Sequence, residues 1–176
     1  MYILLGLLVL VVLLLIVIAT RPKTFTVTRS LAIRAAPAVV FAQVEDFRRW
    51  GAWSPWEKID PDSKKTYSGA AAGVGAVYRW QGNMQVGEGM MTITGLRPAE
   101  SIAIDIDIEF FKPFKAKNLV TFTFVAQGDT TSVTWSMSGT NSFMGKAMSL
   151  VMSSETMIGG PFAQGLAQLK TVCETA

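Results

Sequence analysis

The chain contains no histidine among its 176 residues and a single cysteine, Cys173. Without histidine there is no Ser-His-Asp or Cys-His catalysis, no His-ligated metal and no imidazole pH switch. One cysteine excludes an intrachain disulfide and a multi-cysteine zinc site. Charge is also scarce, at 16% of residues. Of the formal net charge of +3, Arg21 and Lys23 supply two, which leaves 14 basic and 13 acidic residues from Thr24 onward, a net of +1. Lys112, Lys115 and Lys117 sit beside Asp105, Asp107 and Glu109 and cancel them. A nucleic-acid-binding domain usually carries a clustered basic face, so no nucleic-acid partner is expected. Any chemistry must come from carboxylates, Lys, Arg, Tyr, Ser or Thr, and no cofactor is expected.

Apolar residues, by contrast, make up 50% of the chain. The run "YILLGLLVLVVLLLIVIA", from Tyr2 to Ala19, holds eighteen residues without a charge. With Met1 and Thr20 it reaches the ~20 residues needed to cross a hydrocarbon core. In lipid such a backbone must satisfy its own hydrogen bonds, so it should be helical. A cleavable signal peptide is the competing reading, since "VIA" before Thr20 is a weak small-residue cleavage pattern. Against it, no Lys or Arg precedes the run, which also exceeds the usual ~7–15-residue apolar core of a signal peptide. We therefore expect a transmembrane helix over residues 1–20, a basic linker over 21–24 and one folded domain over 25–176. Arg21, Lys23 and Arg29 follow the span and none precedes it. The positive-inside bias then places the domain on the cytoplasmic face of a single-pass membrane protein.

Beyond the span, Phe25, Val27, Arg29, Leu31 and Ile33 alternate with Thr26, Thr28, Ser30 and Ala32, the period of a strand. Pro37 suits a first helical turn, and Val40, Phe41, Val44 and Phe47 form a helical stripe. That helix should fade into "DFRRWGAWSPW", broken by Gly51 and Pro55, with Trp50 and Trp53 on one side. The passage from Asp60 to Asn83 reads as turn-rich, and Gly73-Val74-Gly75 lacks the third glycine of a dinucleotide fingerprint. Five strands follow. Tyr78 and Trp80 share one face with Ala76; Met91 shares one with Ile93. Ile102, Ile104, Ile106, Ile108 and Phe110 alternate with Ser101, Ala103, Asp105, Asp107 and Glu109. Val120, Phe122 and Phe124, then Val133, Trp135 and Met137, complete the set. One apolar and one polar face per strand describe an antiparallel sheet with one side buried.

The covering layer is expected from the C-terminus, where Pro161 starts a helix carrying Phe162, Leu166, Leu169 and Val172 or Cys173 at helical spacing. Before it, Met144, Met148, Met152 and Met157 crowd fourteen residues, and Met fills irregular apolar surfaces.

The order strand, helix with a short second helix, antiparallel sheet, long C-terminal helix is that of an α+β helix-grip fold, a curved sheet wrapped around that helix. The chain resembles the START-like SRPBCC superfamily near its polyketide cyclase/dehydrase-like members, from about Phe25 to Lys170. The stretches "RSLAIRAAPAVVFAQVEDFRRWGAWSPW", "YRWQGN" with "VGEGMMTI", "TSVTWSMSG" and "GGPFAQGLAQLK" carry the resemblance. It implies a hydrophobic cavity between sheet and helix. Trp50, Trp53, Tyr78, Trp80, Met91, Ile93, Ile104, Ile106, Ile108, Phe122, Phe124, Trp135, Met137, Met152, Phe162 and Leu166 would line it. The plain alternative is that these side chains fill a core. Trp50, Trp53 and Trp56 would plug or gate one side, with Arg48 and Arg49 either solvated or facing anionic head groups.

Asp105, Asp107 and Glu109 alternate with isoleucines that need burial, so they are expected to point to solvent rather than form a carboxylate pair. Arg79 and Glu88, on neighbouring strands, would pair across them or, facing inward, anchor a ligand's polar group. The first expectation is a membrane-anchored module that holds a lipid or other small hydrophobic ligand. A polyketide cyclase/dehydrase-like enzyme, with Tyr78 as the one weak candidate for a catalytic acid, and a non-catalytic protein-interaction domain remain open.

Overall fold

In a computed structural model, residues 2–111 and 114–175 are described. Lys112 lies outside them, as does the side chain of Phe110. The apolar run is a helix, α1 (Tyr2–Thr20), whose length and composition suffice to cross a membrane. After three intervening residues the chain enters β1 (Thr24–Ile33), then α2 (Pro37–Val44), a 3₁₀ turn (Phe47–Ala52) and the short α3 (Trp56–Ile59). Six strands follow: β2 (Lys64–Gly69), β3 (Ala76–Gln81), β4 (Glu88–Arg97), β5 (Ser101–Phe111), β6 (Phe114–Gln127) and β7 (Thr130–Thr140). The chain closes with α4 (Phe143–Met148), a π turn (Glu155–Gly159) and α5 (Gly160–Glu174).

The seven strands form one antiparallel sheet in the order β1-β7-β6-β5-β4-β3-β2. Its apolar face holds α2, the 3₁₀ turn and α5, as the alternation requires: an antiparallel sheet with one apolar face must find a cover for it. Turn chemistry agrees locally. Pro37 opens α2, where its fixed φ fits and its missing N–H is no loss. Gly128, at φ +62, makes the β6–β7 hairpin in a backbone region where a side chain is costly.

Two expectations change. The stretch read as turn contains β2, which pairs with β3 from Lys64↔Gln81 to Gly69↔Ala76. Being an edge strand with lysines at its start, it needs little apolar alternation, so its pattern is faint. The methionine-rich segment does not fill the core: Met144, Met148, Met152 and Met157 are all exposed.

The tryptophan run has a definite structural task. The Trp50 and Trp53 indoles donate to the carbonyls of Val44 (2.9 Å) and Gln43 (3.1 Å). These are carbonyls in the last turn of α2, which lack partners within a short helix. The two rings, 4.7 Å apart, then bury their faces against the sheet. Asp46 caps the 3₁₀ turn by accepting from the Arg48 amide (2.9 Å).

Candidate functional site

The concave face is best described in rows across the sheet, each set by strand register. One row runs Arg29–Trp135–Phe122–Ile102, from β1 through β7 and β6 to β5. Here packing is complete. Trp135 stacks on Phe162 of α5 with centroids 4.0 Å apart and on Phe122 at 4.8 Å. Trp53 meets Trp135 edge-on at 5.6 Å, and Trp56 does so at 5.7 Å. Trp53, Ile93, Ile104, Phe122 and Phe162 expose 0% of their surface, so no water-sized space adjoins them. Gly165 of α5 belongs to this closure. A Cβ there would sit 2.7 Å from Trp135 Cζ3, so the helix reaches the sheet because that residue has no side chain.

The row nearer the exit of α1 is looser. It runs Phe25–Gly139–Asn118–Ile106–Met91–Tyr78. Ile106, Met91 and Tyr78 keep a little exposure, and Phe25 and Asn118 are half-buried. One row further out, Trp80, Gly89 and Ile108 pair across β3, β4 and β5, and all three are half-buried. Packing therefore opens toward one end, the end where β1 begins. The Asn118 side chain points into this end, and its buried Oδ1 has no hydrogen-bond partner among the described residues. A buried amide left unpaired costs about 1–3 kcal/mol by protein mutational measures. Sequence reading passed over Asn118 because it interrupts an otherwise apolar row (Val120, Phe122, Phe124), and that interruption was the available signal.

A second polar group lies at the β2–β3 side. The Tyr78 hydroxyl donates to Glu57 Oε1 of α3 (2.8 Å), and Lys65 of β2 pairs with the other carboxylate oxygen. Tyr67 stacks on Tyr78 at 5.2 Å, and Arg48 lies over the Tyr67 ring at 5.2 Å while donating to the Ala71 carbonyl (2.7 Å). Burial, then the hydrogen bond to Glu57, holds the Tyr78 phenol protonated well above the ordinary tyrosine range. Such a phenol is a poor proton donor at neutral pH. Glu57 and Lys65 were not singled out from sequence; they meet only because α3 folds back over β2.

The other expected residues fall as follows. Trp50, Phe124, Leu166 and Met137 are buried on the concave side with the packed set. Met152 is exposed on the segment after α4, outside the concave face. Arg79 and Glu88 face outward, opposite Met90 and Gln81, so neither points at the interior. No ion pair joins them among the described residues; Gln81 instead donates to Glu88 (3.4 Å). They line an open groove of about 670 Å³ with Lys64, Asp107, Glu109, Lys115 and Lys117, and the groove also takes in Trp80, Gly89 and Ile108. Its charges are largely self-paired, Lys115 with Glu109 at 3.0 Å and Lys117 with Asp107 at 3.2 Å. Asp105 is exposed on the same face, so the alternating acids are surface groups. Among the described residues no cluster of acids or cysteine has the makings of a metal site.

No curated protein matches the chain. Among solved structures, protein MLL2253 of Mesorhizobium loti superposes with a TM-score of 0.63 at 16% identity, over 86% of this chain and 98% of that one. Protein CV1439 of Chromobacterium violaceum gives 0.59 at 15% identity, over 88% and 99%. Norcoclaurine synthase of Thalictrum flavum, solved with a transition-state analogue, gives 0.63 at 12% identity, over 88% and 97%. At these identities the likeness is one of fold. The family model described as "Polyketide cyclase / dehydrase and lipid transport" matches residues 24–174, and the chain, a helix-grip protein of the SRPBCC superfamily, belongs to that family.

Proposed function

We propose that this protein is a membrane-anchored module that holds a small hydrophobic molecule at the open end of its concave face. The reading is carried by the change in packing along that face, from fully buried aromatics at the Trp135 row to half-buried Trp80 and Ile108 three rows away. The looser row carries two polar side chains, Tyr78, whose hydroxyl is paired with Glu57, and Asn118, whose buried amide oxygen has no hydrogen-bond partner among the described residues. An apolar body with one hydroxyl or N–H donor suits both features. A buried acceptor inside an apolar pocket rewards the ligand that pairs it and rejects the one that leaves it unpaired. The family description, which names lipid transport beside cyclase and dehydrase activity, supports the same ligand class. The charge-free α1 supports the anchor, with Arg21 and Lys23 as the basic flank on the domain side and that flank favouring the cytoplasmic face.

An acid–base enzyme is less well supported. Tyr78, in the same row as Asn118, donates its hydroxyl to Glu57 and stays protonated, so it offers no proton at neutral pH.

The test is recovery of the ligand. Full-length protein purified in mild detergent is extracted with organic solvent, and the released molecules are identified by mass spectrometry beside an Ile108→Glu variant. A hydrophobic compound enriched in the parent and depleted in the variant, with thermal stability unchanged, is the expected result. Protein that carries nothing, even after incubation with membrane lipid extract, rules out the binding reading.

A further inference from the structure

The segment after β7 is exposed and apolar, yet it stands at a defined place. From Asn141 to Ser154 the sequence "NSFMGKAMSLVMSS" contains one charged residue, Lys146. Phe143 and Met144, Ala147 and Met148, Val151 and Met152 recur at the spacing of a helical stripe. The turn continues past α4, since the amides of Val151 (3.0 Å) and Met152 (2.9 Å) both bond the Met148 carbonyl. Exposure on this stripe is high, 56% at Phe143 and 90% at Val151. In water, so many large apolar groups side by side on one short segment mark an interaction surface.

What the stripe meets follows from its position. Lys146 Nζ donates to the Ala19 carbonyl (3.1 Å), in the last turn of α1, where a cation complements the open carbonyls. Asn141 bonds twice to the linker, its side chain to the Pro22 carbonyl (3.1 Å) and its amide to that of Lys23 (2.8 Å). These bonds tie α4 to the point where α1 ends. Arg21, Lys23 and Lys146 lie at that junction, and residues 20–24 and 141–154 contain no acidic residue. The apolar stripe is thus continuous with the apolar surface of α1 and is ringed by cations at the level where the anchor leaves lipid.

We infer that residues Phe143–Met152 form a membrane-surface helix that inserts its apolar stripe into the bilayer interface beside the anchor. This inference rests on α1 being a membrane span. A helix of this kind lies in the interface plane with its apolar face roughly 5–10 Å into the headgroup–acyl boundary, and Lys146, Arg21 and Lys23 meet anionic head groups. The domain then has two attachments rather than one, so its orientation on the membrane is set. The open row containing Phe25, Gly139 and Asn118 adjoins β7's exit into this segment, so it faces the lipid from which a hydrophobic ligand comes.

The test places an environment-sensitive fluorophore on single cysteines introduced by Val151→Cys, Leu10→Cys or Val125→Cys in the full chain. Cys173 is buried, and burial raises its thiol to about 11, so native labelling at neutral pH spares it. Each labelled protein is reconstituted in phosphatidylcholine vesicles containing some phosphatidylglycerol, with and without lipid bearing a nitroxide high on its acyl chain. Val125, exposed near the β6–β7 hairpin, is the control that stays in water. The expected result is blue-shifted, nitroxide-quenched emission at positions 151 and 10, and neither effect at 125. Quenching at 10 with water-like emission at 151 overturns the inference and leaves the anchor intact. No quenching at either position removes the anchor and the inference together. A blue shift at 151 without quenching means that protein, such as a second copy of the chain, covers the stripe, and it too overturns the inference.

Discussion

Replacing Gly165 by alanine sets two effects of opposite sign against each other. In a helix interior, alanine is preferred to glycine by about 1 kcal/mol, so propensity alone makes the variant more stable. Packing says otherwise. The added Cβ would lie 2.7 Å from Trp135 Cζ3 and 3.0 Å from Pro55 Cδ. Carbon atoms in contact rest about 3.5–4.0 Å apart, so α5 or the indole must move by about an ångström. Trp135 has little freedom to do so, being stacked at 4.0 Å on Phe162 and at 4.8 Å on Phe122. Overpacking of a filled core costs about 1–3 kcal/mol, and two rigid neighbours argue for the upper half of that range. The net loss is then about 1–2 kcal/mol. For a chain of this size each kcal/mol moves Tm by roughly 2–4 °C, which gives a fall of roughly 2–8 °C.

Gly160→Ala is the control within the same helix, because nothing lies within 4 Å of its Cβ position. It should leave Tm unchanged or raise it by a few degrees. All five tryptophans lie outside α1, so tryptophan fluorescence of the full chain in micelles follows the folded domain alone. If Gly165→Ala raises Tm as Gly160→Ala does, a gap beside Trp135 has absorbed the methyl, and the filled-centre description is wrong.

Asn118→Leu should raise Tm by a few degrees in ligand-free protein, because it removes an unpaired amide worth about 1–3 kcal/mol, while ligand recovered by extraction falls; a lower Tm with ligand retained would contradict the assignment. Tyr78→Phe should cost about 1.5–3 kcal/mol in a thermal melt at neutral pH, the range for a hydrogen bond to a charged acceptor. The folded Tyr78 phenol is held protonated above its unfolded value, so its contribution is complete below about pH 10 and is lost as pH rises beyond it. Tyr67, raised first by burial and then by Glu57, acts with the same sign. Melts taken across the alkaline range should therefore decline less steeply in Tyr78→Phe than in the parent; an identical decline would refute the pairing with Glu57. Glu155→Gln should shift Tm by no more than about 4 °C, since the 2.6 Å contact with Arg29 is partly exposed and such pairs contribute about 0–1 kcal/mol.

Much of the architecture is legible in the sequence because its signals are local and repeated. Alternation at Ile102, Ile104 and Ile106 states both the strand and its buried face, and Phe162, Leu166 and Leu169 state the covering stripe of α5. The length of the charge-free run defines α1 with no knowledge of what packs on it. Even the acids of β5 are placed correctly, since a strand whose isoleucines turn inward must turn its carboxylates outward.

Tertiary structure decided the matters that depend on partners distant in sequence. Alternation places Trp135 and Ile108 on one face alike; only the arrival of α5, admitted by Gly165, makes one sealed core and leaves the other half-open. The tryptophan run gives no hint that its indoles answer the last carbonyls of α2, because that depends on how the chain doubles back. Nor does a list of methionines say whether they fill a core or stay exposed on the surface. That is settled by where α4 sits relative to α1, through contacts between Lys146 and Ala19 that span most of the chain. Periodicity fixes which side of an element is apolar, a property of neighbouring residues; what covers that side is a property of the whole fold.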